Sequence, residues 1–191
     1  DRLSLLDKNL ENLSNVFIRV QELIIQASSD VLGASDREAI AIEVDQMKEE
    51  VLSLANAQDS NGSFLFSGYK TNTIPFEKDL TGKINYKGDR GIASLSISES
   101  RVMETTLDGG TLFQAVKGPS GENVSIFQML EDGWPNKHLE VLKNIGLIGS
   151  LNSPFTLANR KLSLSKWSKK IERVINSFQK KIDIDNLMNL V

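Results

Sequence analysis

Apolar residues recur along the first 27 positions with a period that only a helix produces. Leu3, Leu6, Leu10, Leu13, Phe17, Val20, Ile24 and Ala27 are spaced alternately by three and four residues. This is an unbroken heptad seam over more than three repeats. No Gly or Pro interrupts the run from Asp1 to Ser29, and a helix of that length extends roughly 40 Å at about 1.5 Å per residue. Val16, Leu23 and Ile25 widen the stripe, so the pattern predicts contact with more than one neighbouring helix. After Gly33, Ser35 and Glu38 have the spacing of a capping box. They predict a second helix over 36–58, with Ile40, Val44, Met47, Val51 and Leu54 as its seam. The connection is short, so the two helices are expected to be antiparallel neighbours.

The pattern changes at Asp59-Ser60-Asn61-Gly62, where Asn-Gly suits a tight turn. Phe64-Leu65-Phe66 then reads as a strand. Short extended pieces follow at 84–86 and 93–97, punctuated by Thr81-Gly82, Lys87-Gly88-Asp89 and Asp108-Gly109-Gly110. Residues 117–123 read as a loop and 124–131 as a short helix. Pro135 suits a helix start, and Pro154 predicts a kink. A last seam runs through Leu164, Trp167, Ile171, Val174, Phe178 and Ile182. The expected fold is mainly α with a β-rich insert: a long antiparallel helical bundle plus a small β domain. Residues 1–69 and 135–191 would form the helical rod domain, and 70–134 the insert.

Charge adds an asymmetry to this picture. Residues 1–60 carry a net charge of −7, residues 61–155 of −1, and residues 156–191 of +5. The basic end is expected to lie against the acidic start, although exposed pairs are each worth only about 0–1 kcal/mol. The 191 residues include no cysteine, which excludes disulfides and thiolate chemistry. No apolar run is long enough for a membrane-spanning helix.

The chemistry on offer is thin. His138 is the one histidine and cannot build a multi-histidine zinc site. Ser67-Gly68-Tyr69-Lys70 matches Ser-x-x-Lys, but the accompanying Ser-Asp-Asn and Lys-Thr-Gly elements are missing. Glu43, Asp45, Glu49 and Glu50 read as a solvated helix face. Lys166, Lys169, Lys170 and Arg173 form a basic patch that helix pairing explains better than nucleic acid. Asn12, Asn61 and Asn123 each open a glycosylation-type triplet, a pattern that arises easily by chance. No catalytic residue, cofactor or metal ligand is expected, and the chain reads as a non-enzyme.

Specific stretches carry the functional signal. Residues 10–27, centred on Arg19-Val20-Gln21-Glu22-Leu23, resemble the rod helix of the flagellin superfamily. Residues 35–40 resemble the start of its next helix. Leu54-Ala55-Asn56-Ala57-Gln58-Asp59-Ser60-Asn61-Gly62-Ser63-Phe64-Leu65-Phe66-Ser67-Gly68-Tyr69 is similar to the hook-filament junction family, hook-associated protein 3. Tyr86-Lys87-Gly88-Asp89 is similar to a turn in that family's insert. Gly149-Ser150-Leu151-Asn152 is a shortened version of its returning-helix motif, lacking the arginine. The motif residues are then Arg19, Glu22, Leu23, Asn56, Asp59, Asn61, Gly62, Phe64, Phe66 and Gly68.

The resemblance implies an extracellular structural subunit of the bacterial flagellum, exported by the flagellar secretion apparatus with a chaperone. It implies a homo-oligomeric ring between hook-associated protein 1 and the flagellin filament, with no nucleic acid or membrane partner. Both ends look cut, and the family's outermost terminal helices are expected to be missing, which would leave a monomer. The alternatives are a filament flagellin and an unrelated helical binding module or adhesin.

Overall fold

The structure is a computed structural model and describes residues 2–27, 29, 31–92, 94–98, 101–104, 107–117, 122–132, 165–166 and 168–180. Two long helices come first, α1 (Arg2–Ala27) and α2 (Ala34–Ala55). Six short strands and two short helices follow: β1 (Phe76–Lys78), β2 (Ile84–Tyr86), β3 (Ser94–Ser98), β4 (Arg101–Glu104), α3 (Gly109–Gln114), β5 (Val116–Lys117), β6 (Asn123–Val124) and α4 (Ile126–Asp132). A last described helix, α5, covers 168–180. The chain is therefore mainly helical with a small antiparallel β portion. Its described strands form three separate two-stranded ribbons, β1–β2, β3–β4 and β5–β6. No described helix is long and apolar enough to cross a membrane.

The α1 seam points inward. Leu6, Leu10, Leu13, Phe17, Val20, Ile24 and Ala27 are buried, and Leu3 packs partly against them. Val16 and Leu23 extend the buried stripe. Ile25 does not, because its side chain is 64% exposed on the opposite face. From α2, Ile40, Val44, Val51 and Ala55 are buried, and Met47 and Leu54 pack at the margin. The helices are antiparallel. Arg2, at the start of α1, meets Asp59 just beyond the end of α2, while Arg19 reaches Glu43 at 2.8 Å midway along.

The connection between them differs from its predicted form. Helix α2 begins at Ala34, with Gly33 as its N-cap, and Asp36 rather than Glu38 accepts the orphan amide, from Gly33 at 2.9 Å. Ser35 already lies inside the first turn. Arg37 is buried and donates to the carbonyls of Ser29 at 2.9 Å and Gly33 at 3.4 Å. Its charge thus lies at the negative end of the α1 dipole and staples the hairpin shut.

Three other expectations change. Phe64, Leu65 and Phe66 form no strand, and only the isolated bridges Gln58–Phe64 and Ser67–Asp108 occur there. Residues 109–114 form helix α3 instead of a turn, with Asp108 as N-cap and the Thr111 hydroxyl on its carboxylate at 2.5 Å. The basic helix α5 does lie against α1, as expected, but it makes no ion pair to α1 among the described residues. Its contact is apolar, through Ile171, Val174 and Phe178, with the Phe178 ring 5.7 Å from that of Phe17. Lys166 and Lys169 face solvent, where exposed charge pays no desolvation cost. His138, Pro135, Pro154, residues 149–152, Leu164, Trp167 and Ile182 lie outside the described residues.

The burial pattern separates two substitutions on one helix. Leu10→Ala is expected to lower unfolding free energy by about 2–5 kcal/mol. Ile25→Ser is expected to change it by less than about 0.5 kcal/mol. Urea denaturation of both variants checks the pair, and equal losses would show that the buried stripe is misplaced.

Candidate functional site

The residues that carry the sequence signal converge where the helical hairpin hands the chain to the insert. Helix α2 tightens as it ends, with the Ala57 amide bonding back to Leu54. Asn56 then turns its side-chain amide onto β1. It accepts from the Phe76 amide and donates to the Phe76 carbonyl, both at 2.9 Å. One side chain thereby does the work of a neighbouring strand.

Asp59 closes the turn that follows. Its Oδ1 accepts from the amides of Asn61 at 2.9 Å and Ser63 at 3.0 Å. Gly62 adopts φ +77°, a conformation that costs other residues energy. Arg2 bonds the second carboxylate oxygen, and its other terminal nitrogen donates to the Phe64 carbonyl at 2.9 Å. The Ser63 and Asn61 amides and the Arg2 charge hold the Asp59 carboxyl below its ordinary value.

Beyond this turn the chain passes through the core. Phe64, Leu65, Phe66 and Ser67 are all buried. Their backbone groups bond to different segments: Phe64 N–H to Thr71, Leu65 N–H to Ala57, and the carbonyls of Leu65, Phe66 and Ser67 to the amides of Leu107, Gly109 and Asp89. Buried backbone polar groups need partners, and here separate loops supply them in place of a ladder. The Ser67 hydroxyl donates to the Phe64 carbonyl at 3.4 Å and is fully buried, while Lys70 is exposed. The Ser-x-x-Lys pattern therefore offers no accessible nucleophile.

A second clamp joins this segment to the insert. Asp89 Oδ1 accepts from the amides of Tyr69 and Gly91, each at 2.8 Å, and these bonds lower its pKa. Gly68 has φ +70°, and a Cβ there would run into the Asp89 carboxylate and carbonyl. The Tyr86 hydroxyl shares its proton between the carbonyls of Asp89 at 2.7 Å and Phe66 at 3.1 Å. Burial, with the Asp108 charge second, pushes the Tyr86 phenol up to about 12.

Behind these bonds the rings of Phe66, Phe76, Phe113, Phe127 and Tyr86 form a cluster with centroids 5.0–5.8 Å apart. Phe113 links it to Phe178 at 6.1 Å, and Phe178 to Phe17. The core of the helices is continuous with that of the insert.

Asn56, Asp59, Asn61, Gly62, Phe64, Phe66 and Gly68 thus share one joint. Arg19, Glu22 and Leu23 do not. They lie about 25 Å or more along α1 from Arg2, where exposed Arg19 bridges Glu22 at 3.2 Å and Glu43, and Leu23 is buried. Glu49 and Asp45 are likewise engaged, with Lys78 and Lys48.

The sequence reading missed Arg2, Phe76, Asp79 and Phe113 at or beside the joint. A signal for Asp79 was present. Asp79-Leu80-Thr81-Gly82-Lys83 repeats the spacing of Asp59-Ser60-Asn61-Gly62-Ser63. Asp79 Oδ1 accepts from the amides of Thr81 and Lys83 at 2.8 and 3.1 Å, and Gly82 has φ +85°. The Thr81 hydroxyl and Asn85 amide, with these backbone bonds, lower the Asp79 pKa to about 2.

Residues 1–71 match the sequence model of the bacterial flagellin N-terminal helical region. Flagellar hook-associated protein 3 of Escherichia coli K12 is 31% identical over 137 residues, covering 68% of this chain. The chain belongs to the flagellin superfamily. The Salmonella typhimurium LT2 hook-associated protein 3 is 28% identical over the same length of alignment. This flagellin-superfamily chain spans 42% of the length of either curated relative. Among solved structures, hook-associated protein 3 of Legionella pneumophila superposes with a TM-score of 0.83 at 17% identity, covering 99% of this chain and 85% of that one. FlgL of Xanthomonas campestris gives 0.81 at 16% identity, covering 98% and 87%. At such identities the superpositions establish the shared fold.

Two outcomes test the joint. Gly62→Ala meets open space and is expected to cost only the backbone strain, roughly 1–2 kcal/mol. Gly68→Ala carries the same strain plus the collision with Asp89, so its loss in urea denaturation is expected to be clearly larger.

The second outcome concerns pH. A depressed carboxyl pKa contributes stability above its ordinary value of 3.8 and loses it as pH falls through about 2. Asp79→Asn is therefore expected to melt below the parent protein at pH 6, with the gap closing by about pH 2. A gap that stays constant with pH would exclude a role for the charge.

Proposed function

We propose that this chain is the rod-and-insert portion of a subunit that joins hook to filament in the bacterial flagellum. The observation that carries the reading is its 31% identity to a hook-associated protein 3 over 68% of the chain. Residues 1–69 and 135–191 act as a rod domain, and residues 70–134 as an insert facing outward. The full-length subunit forms a homo-oligomeric ring between hook-associated protein 1 and flagellin, with helices outside this chain completing the assembly. Outer faces of α1 and α2 supply the lateral packing.

The work is mechanical, and the joint suits it. Loads passing between rod and insert meet Asn56, Asp59 and Asp89 hydrogen bonds and a continuous aromatic core rather than a free hinge. Export unfolded, with a chaperone, through the flagellar secretion apparatus fits a chain without cysteine. No disulfide has to form afterwards, and the turns at Asp59 and Asp79 close over only four residues. Short loops close at small entropic cost.

Deleting the gene in the source bacterium is expected to leave hooks without filaments, with wild-type gene restoring them. An antibody to the protein is expected to label the boundary between hook and filament. Filaments attached normally to hooks in the deletion strain would overturn the reading. Purified full-length protein that polymerises alone into long filaments would identify a flagellin instead.

A further inference from the structure

Asn61 is the one asparagine of the chain that precedes a glycine. That pairing is chemically unstable. The side chain is a carboxamide, and the amide nitrogen of the next residue can attack its Cγ. A new N–C bond closes a five-membered succinimide ring, the attacking nitrogen loses its proton, and the Cγ–Nδ2 bond breaks to release ammonia. Water then opens the ring at one of its two carbonyls. The product is aspartate, or isoaspartate, in which the main chain runs through Cβ and Cγ. Glycine in the second position makes the attack easiest, because no side chain shields its nitrogen and its backbone rotates freely.

The folded turn leaves both residues in water. Asn61 and Gly62 are exposed, and a Cβ on Gly62 would meet open space. The Asn61 side chain makes no hydrogen bond among the described residues. Burial therefore gives the pair no protection, and the backbone gives it instead. The Gly62 amide donates to the Asp59 carbonyl at 3.0 Å, which closes a β-turn with Ser60 and Asn61 at its centre. No described residue other than glycine has a positive φ. The turn is thus of type I, which sets ψ of Asn61 at about 0°. There the Gly62 nitrogen points away from the Asn61 side chain. Ring closure needs it beside Cβ, a rotation of roughly 120° about the Cα–C bond from the type I position.

That rotation would break the bond from Gly62 to Asp59. Asp59 opposes it from both sides as well, since its Oδ1 holds the Asn61 amide at 2.9 Å and the Ser63 amide at 3.0 Å. The turn itself has no need of the carboxamide. Asp79 closes a turn of the same spacing with Thr81 in the equivalent place.

We infer that Asn61 is a modification site, open in the unfolded chain and closed by folding. Isoaspartate adds one atom to the main chain between residues 61 and 62, so the Gly62 and Ser63 amides no longer reach their acceptors on Asp59. The modification bars the turn that would have prevented it. A chain that folds promptly is safe, and one that lingers unfolded loses the joint between hairpin and insert. For a subunit kept unfolded until export, the pair is a clock on the waiting time, although the chemistry does not depend on that role.

The test compares the full chain folded in neutral buffer with the same chain unfolded in guanidinium chloride. Both are aged, digested and assayed by peptide mass spectrometry, with isoaspartate separated by chromatography. In the unfolded chain Asn61 is expected to convert at least tenfold faster than Asn72 and Asn85. In the folded chain its conversion is expected to be at least tenfold slower than in the unfolded one. Equal rates in the two states overturn the inference, as does an unfolded Asn61 no faster than Asn72.

Asp59→Ala, shown by circular dichroism to be folded, is expected to raise the folded rate at least threefold. Arg2→Gln, which releases the second carboxylate oxygen of Asp59, takes its place if that variant does not fold. An unchanged rate overturns the lock by Asp59. Chain aged unfolded and then refolded is expected to melt below fresh chain refolded in parallel, by a margin that grows with isoaspartate content. Identical melts overturn the claim that the modification bars the turn.

Discussion

The structure turns on one carboxylate. Helix α2 ends at Ala55, and within ten residues the chain is buried at Phe64–Ser67. A backbone that leaves a helix and enters a core needs a partner for each polar group it takes from water. Asp59 satisfies the Asn61 and Ser63 amides of the reversing turn and is itself held by Arg2 at the start of α1. The first and last turns of the hairpin are thereby tied to the same point. The position of Phe64 follows, because its carbonyl shares the Arg2 guanidinium.

The insert uses the same device twice more. Asp79 closes a turn of the same spacing, and Asp89 joins the segment at Tyr69 to the Gly91 loop. Short polar side chains that accept backbone amides are an economical way to define loops in a chain without disulfides. Hydrogen bonds alone would leave the insert free to swing. The ring contacts from Phe17 through Phe178 and Phe113 to Phe76 prevent that by placing helix and insert residues in one core. Dense packing transmits strain instead of absorbing it.

Much of this could be read before any coordinates. The α1 stripe, the approximate extent of α2, the turn at Asp59–Gly62 and the strand at 84–86 all have local signatures. The errors also share a cause. Phe64-Leu65-Phe66 has strand composition, but its backbone partners come from residues 57, 71, 107 and 109, and nothing in a run of apolar residues states which segments surround it. Gly109 and Gly110 read as a turn, although their lack of side chains serves close packing: a Cβ on Gly109 would press on Phe66, and one on Gly110 on Tyr86. Ile25 shows the limit of periodicity, since a stripe has no marked edge until a neighbour covers it.

The sequence by itself therefore determined what depends on nearest neighbours along the chain: helix period, turn chemistry, the absence of disulfides, and a likeness specific enough to name the superfamily. Tertiary structure alone decided which distant groups meet. Asn56 finds Phe76, Arg2 finds Asp59, and Asp89 finds Tyr69 across separations of 20 to 57 residues. The physical reason is that periodicity and turn preference are properties of local backbone geometry, whereas the partner of a buried polar group is fixed by the packing of the whole chain around it.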